Sequence, residues 1–212
     1  PYTSLFRSVL RDFGFGVKTA VPMTGEAVGI LPQLQKWGAA TLPNVSFGQG
    51  MATTALQLTN AYTAFASGGV LFEPQIIDHI STKYAKAPLY QAKRQQIRRA
   101  LPATFAKQAV TMMEGVVVYG TGAKAAVAGY RIAGKTGTAQ KIDPKTGRYS
   151  SKDVVVSFCG IAPSDDPRIA VCAILDDPRK PAVAWASDIA APLFKLVTAA
   201  AMNILNIPPM SL

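Results

Sequence analysis

Histidine and cysteine are scarce in this chain. His79 is the single histidine, and Cys159 and Cys172 are the two cysteines. With no second histidine and no Cys-x-x-Cys pair, the spacing of a zinc or iron–sulfur site is missing, so no metal and no cofactor is expected. Charge is sparse and one-sided. Only 16% of residues are charged, and 22 Lys+Arg against 12 Asp+Glu give a net charge of +10. Long apolar runs are missing as well. The longest, 185–207, is interrupted by Asp188 and Lys195, and reads as a buried or amphipathic helix rather than a membrane span. No signal peptide is visible and the first residue is Pro1. The chain is therefore expected to be part of a longer protein, and the missing leader says nothing about location. No internal repeat is found.

What is present suits one folded domain. The chain has 212 residues, 49% of them hydrophobic, which is enough for a real core. The basic excess gathers in two stretches. One holds Lys83, Lys86, Lys93, Arg94, Arg98 and Arg99; the other holds Lys141, Lys145, Arg148 and Lys152. Neither has interleaved aromatics or a recognition helix, so both read as solvated loops, and nucleic acid is not an expected partner. His79 reads as structural. Cys159 and Cys172 sit in neighbouring apolar runs and would face each other across a hairpin. The preferred reading is two buried thiols acting as small apolar residues. A disulfide is the alternative, permitted in an oxidising compartment.

Hydrophobic periodicity gives a coarse map. Leu5, Phe6, Val9, Leu10 and Phe13 share a helical face that Gly14 and Gly16 terminate. Residues 19–50 are rich in glycine and proline and read as irregular. Thr54 and Gln57 have capping-box spacing; Leu58, Tyr62 and Phe65 follow on one face, and Gly68-Gly69 ends the helix. Residues 70–80 read as extended, with Pro74 marking an edge. Residues 81–99 read as a linker or surface insertion. A helix is expected over about 104–118, with Phe105, Ala109, Met112 and Val116 as its core face. Residues 123–127 read as a single helical turn. From there the period becomes that of strands: 130–140, 154–162 and 168–175, with turns at 141–152 and 163–167, form an antiparallel meander. A last helix over about 187–206 would cover one face of it, with Pro192 in its first turn. The fold class is α+β, with 1–128 mainly helical and 129–212 a three-strand antiparallel meander plus a C-terminal helix.

Two chemistries compete in one stretch. Residues 129–136, Gly-Tyr-Arg-Ile-Ala-Gly-Lys-Thr, have the P-loop spacing G-x-x-x-x-G-K-[ST]. Asp176-Asp177 at the end of an apolar run resembles the acid that holds Mg²⁺ in such proteins. However, a P-loop needs a glycine-rich turn running straight into a helix. Here Tyr130 and Ile132 are bulky, Gly137 follows Thr136, and Pro144 comes soon after, so no stable helix of three turns can start. The same residues also contain Lys135-Thr136-Gly137, a K-T-G box. On an edge strand this box can bind an extended peptide by strand addition. Alternation puts Lys135 and Gly137 on one face and Thr136 and Thr138 on the other. A twist or bulge beside Gly137 would bring both sets into one cleft.

The surroundings of the box resemble the C-terminal half of class B penicillin-binding proteins, most closely the division-type monofunctional transpeptidases. Residues 119–123 (Tyr-Gly-Thr-Gly-Ala) and 129–140 carry the resemblance. So do 46–50 (Ser-Phe-Gly-Gln-Gly), 54–58, 60–62, 157–163, 189–194 and the opening 10–16. The match runs through essentially the whole chain in order.

The resemblance implies the C-terminal part of a penicillin-binding-protein/serine β-lactamase-like transpeptidase fold, an antiparallel sheet with helices packed on it. It implies a D,D-transpeptidase that cross-links peptidoglycan stem peptides ending in D-Ala-D-Ala through a serine acyl-enzyme, and that β-lactams acylate. Carried over by position, Lys135 biases charge near the nucleophile, and Thr136 and Thr138 bind the terminal carboxylate. Gly137 lets substrate backbone approach, and the Thr138 N–H forms half of an oxyanion hole. Trp185 is a candidate aromatic wall of the cleft, or alternatively a core residue.

The family also needs S-x-x-K and S-x-N boxes. No serine here has lysine three residues on or asparagine two residues on. This chain is therefore expected to be inactive alone, with its nucleophile in an N-terminal part outside it. A companion segment should then cover the strand at 169–175. The resemblance further implies a cell-wall synthesis or division complex at the periplasmic face of the bacterial inner (cytoplasmic) membrane, anchored by an N-terminal segment absent here. The rival readings are a non-catalytic scaffold of the same family, a P-loop NTPase, and a β-lactamase or penicillin sensor.

Overall fold

The computed structural model describes residues 2–84, 86–179 and 185–210. An opening helix, α1 (Tyr2–Asp12), ends where Gly14 and Gly16 take positive φ, 89° and 75°, a conformation that side-chain-bearing residues avoid. Residues up to 54 are largely irregular, with a 3₁₀ turn at Leu34–Lys36 and the short α2 (Thr41–Ser46). Helix α3 (Ala55–Ala66) starts with the expected reciprocal capping box between Thr54 and Gln57. Gln57 is only 1% exposed, and its side-chain amide also donates to the carbonyls of Val17 (2.6 Å) and Val28 (3.0 Å). A local capping signal thus also fastens the preceding irregular segment to the helix.

Residues 70–80 hold two short strands, in keeping with the extended reading, whereas the linker reading of 81–99 is corrected. Strands β1 (Val70–Phe72), β2 (His79–Ile80), β3 (Tyr90–Gln91) and β4 (Gln96–Arg99) form two small antiparallel pairs, β1 with β4 and β2 with β3. β1 and β4 lie far apart in sequence, and the exposed residues of β2, β3 and β4 carry no alternating apolar signal. The arginines there are structural. Arg94 lies over the Phe72 ring, 3.6 Å from its centroid, and Arg99 donates to the Gly68 carbonyl at 2.8 Å.

Helix α4 (Ala103–Val118) forms where expected but buries a different face. Ala106, Val110 and Val117 are buried, whereas Phe105 is 56% and Met112 73% exposed. The sequence is apolar nearly all round from Val110 to Val118, so two adjacent stripes satisfy the same period. Contact with Ala133 and Ile161 decides between them. A 3₁₀ turn at Ala123–Ala125 follows.

The meander is as expected in kind. Strands β5 (Ala133–Ile142), β6 (Tyr149–Ala162) and β7 (Ile169–Asp176) pair antiparallel in the order β5-β6-β7. β5 begins three residues later than expected, because Tyr130 sits in a turn and its hydroxyl donates to the Ile207 carbonyl at 2.7 Å. Helix α5 (Ala190–Ile204) covers one face of the sheet. There Phe158 and Phe194 are fully buried with ring centroids 4.7 Å apart. Losing either ring would cost about 3–5 kcal/mol. Gly134 and Gly160 make the room for them, since a Cβ at either would strike Phe158 or Phe194 at 2.5 and 2.9 Å.

Cys159 and Cys172 are directly opposed in the register and joined by a disulfide, which corrects the expectation of two thiols. His79 is exposed and pairs with Asp78. No helix among the described residues is long and apolar enough to cross a membrane.

Candidate active-site wall

β5 is an edge strand. Its only partner among the described residues is β6, and the register is regular from Ala133 to Gln140. Lys135 pairs with Cys159, Thr136 with Phe158, Gly137 with Ser157 and Thr138 with Val156. The expected bulge beside Gly137 is not there; the irregularity lies further on, between Gln140 and Ile142. Lys135 and the threonines therefore keep to opposite faces, and they meet by another route. The Lys135 side chain folds along the open edge, its Nζ donating to the Thr136 carbonyl at 2.9 Å and lying 3.4 Å from Thr136 Oγ1. An edge strand allows this because no further strand occupies that side. An ammonium and a hydroxyl thus converge on one exposed border, an arrangement suited to a carboxylate.

Thr136 has a second partner. The hydroxyls of Thr121 and Thr136 are 2.9 Å apart. Thr121 lies in the Gly120–Gly122 turn after α4, and the turn is close-packed. A Cβ on Gly122 would meet Phe158 at 2.9 Å and the Val116 side chain at 3.1 Å. Thr121 was not among the sequence-derived site residues, although its turn lies within the run that carried the resemblance.

On the face opposite α5, a groove of about 450 Å³ runs from Gly137, Thr138 and Ala139 toward the start of α3. Ser157 and Ile174 line its sheet side, Phe47 and Gln49 its loop side, and Leu58 its helix side. Gly137 keeps it open, since a Cβ there would come within 2.6 Å of Ser157 Oγ. Phe47, Gly48 and Gln49, within the 46–50 run singled out only through resemblance, therefore border the same groove as the K-T-G strand. The structure does not bring Trp185 there. It is 58% exposed, stands ahead of α5, and is absent from the groove lining. It is not a core residue either. Residues 180–184, just before it, lie outside the described residues.

The P-loop reading fails on geometry. Lys135 and Thr136 lie inside a ten-residue strand that runs into a turn at 143–147, not at the start of a helix. Asp176 and Asp177 are held by Lys141 at 2.9 and 2.6 Å, and those two carboxylates raise the Lys141 pKa. Among the described residues no group of three His, Cys, Asp or Glu side chains could hold a metal ion.

Comparison with known proteins agrees with this geometry. Residues 3–199 match the family model described as the penicillin binding protein transpeptidase domain. The chain is 36% identical over 210 residues to penicillin-binding protein PbpB of Mycolicibacterium smegmatis, covering 96% of the chain and 32% of that protein. It is 38% identical over 204 residues to stage V sporulation protein D of Bacillus subtilis, covering 94% and 30%. Peptidoglycan D,D-transpeptidase FtsI of Escherichia coli K12 is 33% identical over 198 residues, 93% of this chain and 31% of that one. The chain thus spans about a third of the length of these relatives. Among solved structures, penicillin-binding protein 3 of Mycobacterium tuberculosis in complex with aztreonam superposes with a TM-score of 0.84 at 33% identity, over 98% of this chain and 48% of that one.

Proposed function

The chain belongs to the transpeptidase-domain family of penicillin-binding proteins, in its class B branch, and on that premise we propose that it forms one wall of a peptidoglycan D,D-transpeptidase site. The wall takes the D-Ala-D-Ala end of a stem peptide, or a β-lactam in its place. The observation that carries this reading is the open edge of β5, where the Thr136 hydroxyl lies within hydrogen-bonding reach of both Lys135 Nζ and the Thr121 hydroxyl.

In this reading Lys135 holds positive charge beside the nucleophile and the incoming carboxylate. Thr136 and Thr138 donate to that carboxylate, and Gly137 admits the substrate backbone. The Thr138 N–H is one of two donors to the oxyanion, a contribution of about 2.7–4 kcal/mol to the barrier. The serine lies outside this chain, in an N-terminal part that supplies S-x-x-K and S-x-N and covers β7. Alone, this chain does not turn over. The disulfide suits an oxidising location such as the periplasmic face of the inner membrane, where a division complex would be the setting.

The test is labelling of the intact protein with a fluorescent penicillin. Covalent labelling that slows in Lys135→Ala supports the reading. An intact, folded protein that takes no label favours a scaffold role instead.

A further inference from the structure

We infer that the Cys159–Cys172 pair is an oxidative modification site whose state sets the position of the Lys135 strand; this deepens the transpeptidase reading and rests on it. Lys135 pairs with Cys159 and Cys159 with Cys172, so the three form one row across β5, β6 and β7. Directly opposed residues of antiparallel strands project to the same face. The disulfide therefore lies on the Lys135 side of the sheet. The next row on that side, Gly137, Ser157 and Ile174, is part of the groove.

α4 packs against β5 at Ala133, but among the strands β5 leans on one side alone. β6 is its single strand partner among the described residues, and β6 is held in turn by β7. The cross-link joins β6 to β7 in the row of the lysine, with the two Cα atoms 4.1 Å apart. It closes the covalent frame on which the edge strand rests. With the bond open, β6 is held at this row by hydrogen bonds and packing alone, and a small shift of Lys135 against its reaction partners is costly in rate.

The chemistry balances simply. On oxidation the two thiols lose two protons and two electrons, which pass to the disulfide of an extracytoplasmic dithiol oxidase and leave that oxidase as a dithiol. Reduction runs the other way. Cys159 is 2% exposed, whereas Cys172 is partly exposed. A reductant thiolate therefore attacks the Cys172 sulfur and releases the Cys159 thiolate. A second thiol equivalent then frees Cys172.

The experiment uses the full-length protein isolated from an oxidising compartment, with two readouts. Iodoacetamide alkylation followed by mass spectrometry reports the thiols, and fluorescent penicillin reports the acylation rate. Expected are no alkylation at these cysteines before dithiothreitol and alkylation of both after it. The acylation rate should drop about tenfold on reduction and recover on reoxidation with glutathione disulfide. Cys159→Ser/Cys172→Ser should acylate slowly and ignore the reductant. Free thiols in the protein as isolated would overturn the inference. So would an unchanged acylation rate in protein whose thiols have been shown to be reduced. Absence of acylation in both redox states would instead sink the transpeptidase reading and the positioning role with it.

Discussion

The hydroxyls of Thr121 and Thr136 stand 2.9 Å apart, tying the glycine turn behind α4 to the exposed edge of β5. Thr121 thereby fixes the rotamer of a side chain that faces the open border. Thr121→Val keeps the shape and removes the hydrogen bond, a loss of about 1 kcal/mol. β-Lactam acylation of the intact protein should slow about fivefold, and Thr121→Ser should restore most of it. An unchanged rate in Thr121→Val would remove this residue from the site.

Two glycines of one strand separate stability from activity. Gly134→Ala drives a Cβ to 2.5 Å from the buried Phe158 ring and 2.7 Å from the Cys159 carbonyl. It should destabilise the protein by about 1–3 kcal/mol, read as a lower urea midpoint. Gly137→Ala meets only the rotatable hydroxyl of Ser157, at 2.6 Å. It should leave the midpoint nearly unchanged and slow acylation instead, since it narrows the groove. A reversed pattern would contradict the placement of these two faces.

Gln57 is the buried hub of the irregular N-terminal region. Gln57→Leu leaves the Val17 and Val28 carbonyls and the Thr54 N–H without their present partner. Each unsatisfied group costs about 1–3 kcal/mol, so a loss of about 3 kcal/mol or more is expected in chemical denaturation. A loss below about 1 kcal/mol would show that water replaces the amide freely.

Glu26 gives a sign for acid sensitivity. Its carboxylate accepts from both the hydroxyl and the N–H of Thr19, each at 2.6 Å, and these bonds lower its pKa, with Lys18 assisting. A depressed carboxyl contributes stability that is present above its unfolded pKa, about 4.3, and is lost as pH falls through the lower folded value. The stability difference between the native protein and Glu26→Gln should therefore hold at neutral pH and close below about pH 4. A gap that widens in acid would reverse the assignment.

Legibility in the sequence followed the range of the interactions. The Thr54–Gln57 capping box was readable because its partners are three residues apart. The reach of Gln57 to Val17, 40 residues away, was not. The K-T-G strand and the meander were readable from alternation and from Gly137 and Pro144, which rule out a helix. The buried face of α4 was not, because its apolar residues circle the helix and only the contacts with Ala133 and Ile161 choose a side. β2 and β3, two residues each, pair across a basic segment that reads as solvated. The facing of Cys159 and Cys172 across the hairpin was readable, but their bond was not, since two buried thiols satisfy the same apolar pattern. Thr121 was hidden because its role depends on a turn folding back onto β5.

Mapping the acylated residue decides whether the nucleophile lies outside residues 1–212 and whether Lys135 serves it. The intact protein is treated with a penicillin, digested, and the adduct located by mass spectrometry. One adduct is expected, on a serine of an S-x-x-K sequence outside residues 1–212, formed more slowly in Lys135→Ala. An adduct on a serine within 1–212, or acylation that is indifferent to Lys135, would contradict it.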